Sequence, residues 1–74
     1  MSTEQHIADE VRAARSRRRK SQAEVAEAVG MHKDTYSKKE QGRSRFDAVE
    51  LYLIASFLDV HPASFYPGST AALP

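Results

Sequence analysis

Seventy-four residues, 41% hydrophobic and 28% charged, make one domain near the lower limit at which a single apolar core suffices, and leave no room for a separate substrate domain or a deep enclosed pocket. The absence of cysteine excludes disulfide staples and thiolate metal sites, and the longest apolar stretch, Leu51 to Leu58, is too short to span a bilayer. The net charge of +1 is polarised: all eleven Lys and Arg residues fall between Arg12 and Arg45 beside four acids, a local +7, with −3 on either side.

Five helices are predicted in chain order. Helix 1 runs from about Thr3 to Arg18, with Ile7, Val11 and Ala14 on one face. Its end, RSRRRK (Arg15 to Lys20), reads equally well as a cationic helix terminus suited to the dipole or as part of a polyanion-binding surface. Helix 2 begins at Ser21, which forms an S-x-x-E capping box with Glu24, and ends at Gly30. Helix 3 follows His32, its expected cap, with Met31 and Tyr36 spaced as a hydrophobic staple, and stops at Gly42. Helix 4 starts at Asp47, with Glu50 completing a second capping box and Phe46 stapled to Leu51. It continues to about Leu58 with Leu51, Ile54, Ala55 and Leu58 as its core stripe. A short helix 5 follows His61, with Pro62 at its first position and a Val60–Phe65 staple. The domain is therefore placed at 1–68, and 69–74 is expected to be a flexible tail. No strand pattern, repeat or interdomain linker is visible.

Helices 2 and 3 form one unit. Val25, Ala26 and Val29 point inward from the first, Met31 and Tyr36 from the turn and the second. Lys33, Asp34, Ser37, Lys38 and Gln41 face outward. That is the layout of a helix-turn-helix, whose second helix enters the DNA major groove.

The chain resembles the lambda-repressor-like, or Xre-type, helix-turn-helix family over about Ile7 to Tyr66. The stretches that carry the resemblance are SQAEVAEAVGM (Ser21 to Met31), the E-x-G of Glu40-Gln41-Gly42, and IASFLDVHPASFY (Ile54 to Tyr66). It implies an all-α, compact five-helix DNA-binding domain. Three positions depart from the pattern. Arg19 and Lys20 stand where the family has Gly and Leu. Lys39 stands where it has Ile, Leu or Trp, so its stem should cross the core and lift the ammonium to solvent.

The resemblance implies that Gln22, at the start of helix 2, bonds a phosphate, and the free N–H groups and dipole of that terminus agree. It also implies that Lys33, Asp34, Ser37 and Lys38 reach base edges. Lys can donate to guanine O6 and N7, and Asp can accept from cytosine N4. The competing readings are phosphate contact for the lysines and stabilisation of its own helix for Asp34. Arg43 and Arg45, after Gly42, are placed to bind flanking phosphates. Glu40 lies on the inner side of helix 3, where an unpaired carboxylate is costly. The family pairs it with an Arg in helix 1, and Arg15 occupies the matching position.

His6, His32 and His61 lack metal-ligand spacing, no Gly-rich phosphate loop is present, and no catalytic constellation surrounds a pocket. No enzyme activity, cofactor, metal or small-molecule ligand is expected. The N-terminal MSTEQH has no signal-peptide apolar core, so the chain is expected to be cytoplasmic. Helix 4 carries a second apolar stripe, Val49, Leu53 and Phe57, which Phe65 and Tyr66 cover in a monomer. The family dimerises through this region, which implies an interface formed from Leu53, Phe57, Phe65 and Tyr66. The expected function is a sequence-specific transcriptional regulator, a repressor binding a two-fold operator on double-stranded DNA as a homodimer. The alternatives are a restriction–modification controller, a DNA-binding antitoxin, or a protein-interaction module that kept the fold without base reading.

Overall fold

The computed structural model describes residues 2–68, so the expected tail at 69–74 lies outside the described residues. The described residues form four α-helices, α1 (Thr3–Arg17), α2 (Gln22–Ala28), α3 (Lys33–Glu40) and α4 (Ala48–Leu58). The expected fifth helix is a single 3-10 turn, Pro62–Phe65. Its brevity has a local cause. Pro62 presets the first turn, and Pro67 lies too close for a second turn to form before it.

Each helix starts on a side-chain cap. Ser2 accepts from the Gln5 N–H, and His32 Nδ1 accepts from the Asp34 N–H. Ser21 and Asp47 both form full capping boxes, with Glu24 and Glu50 respectively. Each helix also stops the same way, on a residue in the left-handed region: Arg19 (φ 55), Gly30 (φ 71), Gly42 (φ 81) and Asp59 (φ 57). At all four ends the N–H groups of this residue and of the next fold back on the last turn, as with Met31 N–H to Ala26 O at 2.8 Å and Arg43 N–H to Lys38 O at 3.0 Å. Arg19 adopts this conformation at a cost of about 1 kcal/mol relative to glycine. A Cβ at Gly42 would also meet the side-chain amide of Gln5, which could turn aside, so the positive φ is the main reason for glycine here.

The core lies where all four helices and the 3-10 turn converge. Val11 and Ala14 from α1, Val25 and Ala26 from α2, and Tyr36 from α3 meet the Leu51–Ile54–Ala55–Leu58 stripe of α4. Tyr36 is fully buried and meets the half-buried Phe46 edge-on, with ring centroids 5.9 Å apart. Phe65 fills the space between α1 and α4 and is 1% exposed. The interface expectation is thereby corrected at this residue: Phe65 packs on the inner stripe, so only Leu53, Phe57 and Tyr66 of the four reach the surface. The outer face of α4 is left uncovered, with Val49, Tyr52, Leu53 and Phe57 all exposed.

Candidate nucleic-acid interface

The α3 helix is anchored from behind by one carboxylate. Glu40 is 2% exposed and accepts from three residues on three helices. Arg15 on α1 donates through Nε to Oε2 at 2.8 Å and through Nη2 to Oε1 at 3.0 Å. Gln22 on α2 donates its Nε2 to Oε1 at 2.9 Å, and Tyr36, one turn back on α3, donates its hydroxyl to Oε2 at 2.6 Å. Arg15 uses its remaining Nη1 on the carbonyl of Lys20 at 2.8 Å, so the guanidinium also fixes the chain entering α2. The fork-to-carboxylate geometry is the strong, directional form of such a contact.

Burial alone pushes Glu40 up, and it is the largest single influence on that group. The hydrogen bonds from Arg15, Tyr36 and Gln22 together outweigh it and hold the carboxyl below its ordinary value of 4.5. Tyr36 is pushed well above its ordinary value, first by burial and then by donating to Glu40. Arg15 is raised chiefly by its bond to Glu40. A depressed folded-state value means that the unfolded chain binds the proton more tightly. The contribution of Glu40 is therefore complete above about pH 4.5 and lost as the pH falls through its lower folded value. Urea midpoints measured against pH should show an acid limb that is shallower in Glu40→Gln. The part owed to Glu24, which its bonds to Ser21 also depress, should remain in both proteins.

With its inner side so fixed, α3 turns Lys33, Asp34 and Lys38 fully outward, and Ser37 is half-buried beside them. The carboxylate of Asp34 lies 3.9 Å from His32 Nδ1, both side chains largely exposed. Gln41 donates to the Ser37 hydroxyl at 3.2 Å and accepts from Arg43 at 3.5 Å, linking the face of α3 to the following loop. Arg43 and Arg45 are exposed on that loop, Arg45 within 3.5 Å of Glu4. Gln22 stands at the first position of α2, with one amide hydrogen committed to Glu40 and a second one free. The structure thus collects Lys33, Asp34, Ser37 and Lys38 on one face and joins them through Gln41 to Arg43.

Besides the Gln22 bond to Glu40, the contacts of Arg18 and Lys39 are not legible in the sequence. Arg18, counted there with the polyanion-attracting run, donates to the carbonyls of Leu58 at 2.8 Å and Asp59 at 3.1 Å and so caps the end of α4. No local pattern marks an Arg for a helix end forty residues away. Lys39 does not carry its ammonium to solvent. Its Nζ lies 2.7 Å from both carboxylate oxygens of Glu50, with the two side chains 14% and 20% exposed. The capping box already turns that carboxylate toward the edge of the core, so the ammonium finds an anion there in place of water. The S-x-x-E-like signal at Asp47–Glu50 located the acceptor, but not its second donor.

Among the described residues no group of three or more His, Cys, Asp or Glu could hold a metal, and no helix is long and apolar enough to cross a membrane. No curated protein sequence matches the chain. Solved structures do. The clp gene regulator ClgR from Corynebacterium glutamicum superposes with a TM-score of 0.87 at 18% identity, over 97% of this chain and 77% of that one. The restriction-modification controller protein C.AhdI from Aeromonas hydrophila gives 0.78 at 21% identity, over 84% of this chain and 94% of its own. HppE, crystallised with substrate, gives 0.80 at 19% identity, over 89% of this chain but only 37% of its own. Likeness at these identities establishes the fold alone, and the fold evidently also serves as part of a longer, substrate-binding protein. The sequence profile of the helix-turn-helix domain matches residues 6–64, most of the chain. With that match and the α2–turn–α3 geometry, the chain belongs to the helix-turn-helix domain family, of the lambda-repressor-like type found in DNA-binding transcription regulators.

Proposed function

We propose that this protein is a sequence-specific DNA-binding repressor that acts as a homodimer on a two-fold operator. The observation that carries the reading is the contrast between the two sides of α3. The inner side is tied to α1 and α2 through Glu40, while the outer side presents Lys33, Asp34, Ser37 and Lys38 free of any core role. An adaptor that had lost base reading needs neither the cationic outer face nor the arginines after it. In the proposed complex α3 lies in the major groove, Lys33, Asp34, Ser37 and Lys38 meet base edges, and Gln22, Arg43 and Arg45 hold phosphates. The spare amide hydrogen of Gln22 suits it to join a phosphate to Glu40. A domain of this size covers few base pairs, so useful specificity requires two copies. Occlusion of a promoter is the simplest output available to a domain that carries only this binding face.

Selection of bound sites from a random DNA library, followed by salt-titrated binding, tests this reading. A DNA reader yields an enriched two-fold site and an affinity that falls steeply with salt. Lys38→Ala and Asp34→Ala should each change the preferred sequence, with a loss of about 1–3 kcal/mol at the affected base pair. Arg43→Ala should weaken all sequences about equally and reduce the salt slope by about one. Unchanged preference in the first two variants overturns the assignment of base readers, and the absence of any enriched site favours the adaptor.

A further inference from the structure

We propose that the Lys39–Glu50 pair is a positioning device for the α3–α4 loop, fixing where Arg43 and Arg45 meet the DNA backbone relative to the face of α3. The inference rests on the DNA-binding reading above. Lys39 lies in the last turn of α3 and Glu50 in the first turn of α4, so the pair closes the loop that carries both arginines. The contact is not an ordinary surface ion pair. Nζ lies 2.7 Å from each carboxylate oxygen, and both side chains are mostly buried.

Each partner is itself held. Glu50 Oε1 accepts from the Asp47 N–H at 2.9 Å, and Asp47 Oδ1 accepts from the Glu50 N–H at 2.7 Å. The main chain of Lys39 accepts from the Gly42 N–H at 3.0 Å, beside the Arg43 N–H bond to Lys38. One residue therefore grips both ends of the loop, with its carbonyl at the α3 side and its ammonium at the α4 side. Replacing both partners with apolar residues would leave stability about unchanged, because two charges must be desolvated here. An ion pair adds a fixed distance and direction that an apolar contact lacks. Neutralised by Glu50, Lys39 is also unavailable to phosphate, so its charge acts on DNA only through the loop.

The test compares Lys39→Met, Lys39→Arg and Glu50→Gln with wild type, each alone and combined with Arg43→Ala. Binding to the site selected by the wild-type protein is measured against salt, and thermal unfolding reports folding. Lys39→Met should unfold cooperatively yet bind about tenfold more weakly, the size of one lost charge-assisted contact. Its salt slope should be shallower by about one. Arg43→Ala should then have almost no further effect in the Lys39→Met background, although it weakens the wild type. Lys39→Arg, which can still reach the carboxylate, should restore affinity and slope. Glu50→Gln keeps the bond to Asp47 but frees the Lys39 charge, so its salt slope should not fall; Arg43→Ala should still lose most of its effect there, and the proposal stays testable if the methionine variant fails to fold. Wild-type affinity and slope in Lys39→Met, or a cost of Arg43→Ala in the Lys39→Met or Glu50→Gln background equal to its cost in the wild type, overturns the positioning role. A wild-type protein without salt-dependent DNA binding overturns the DNA reading itself, and the inference with it.

Discussion

Replacing Glu40 with alanine is expected to destabilise the fold by about 3–5 kcal/mol, as for removal of one partner from a buried ion pair. Three donors lose their acceptor at once: the Arg15 fork, the Tyr36 hydroxyl and the Gln22 amide. The total stability of a 74-residue domain is only about 4–11 kcal/mol, so the variant should be marginal at room temperature. Arg15→Met should cost less, because the Glu40 left behind still accepts from Tyr36 and Gln22. A double-mutant cycle on Arg15 and Glu40, read by urea denaturation, should therefore show a coupling of at least about 1 kcal/mol. Coupling near zero would mean that the two side chains do not act together in solution. DNA affinity should fall further than the folded fraction alone explains, since the carboxylate also fixes the tilt of α3 and the amide of Gln22.

What the sequence made legible and what it did not have separate physical causes. The caps at Ser21, His32 and Asp47 and the stops at Gly30 and Gly42 are local devices written in four to six residues, and the helices begin and end where those devices place them. The inward stripe of α4 is likewise a matter of period alone. The stops at Arg19 and Asp59 were not legible, because the left-handed turn there is made by residues that do not advertise it. Phe65 marks another limit. Spacing identified it as apolar and stapled, but only three-dimensional packing decides whether such a ring turns to the core or to the surface. The Arg15–Glu40 contact was reached through resemblance, and its extension to Gln22 was not, since a glutamine amide can serve two partners and its sequence names neither. Lys39 reads as a snorkelling stem because its position points inward, and nothing local marks Glu50, whose carboxylate already serves the cap of α4, as its partner.

The second large effect is expected at Phe57. With Phe65 taken into the core, Val49, Tyr52, Leu53, Phe57 and Tyr66 remain exposed, and the first four lie along the outer face of α4. An apolar face of this kind, uncovered by the described residues, favours self-association. In the proposed homodimer this face joins the two copies, whose α3 helices must reach successive major grooves about 34 Å apart. Phe57 is the critical position because the Lys20 ammonium lies over its ring at 5.6 Å. Phe57→Lys removes an apolar anchor and sets a second cation against Lys20, while the partly exposed site leaves the monomer room to accommodate the change. Sedimentation should show a lower dimer fraction with helix content retained. Binding to the full two-fold site should fall much more than binding to a half-site, because the two half-sites are no longer joined. Leu53→Lys, on the same face but away from the basic turn, should act in the same direction, which separates loss of the interface from disturbance of Lys20. A wild-type protein that stays monomeric both at high concentration and on DNA removes this interface from consideration. So does a pair of variants that bind the full site as tightly as wild type.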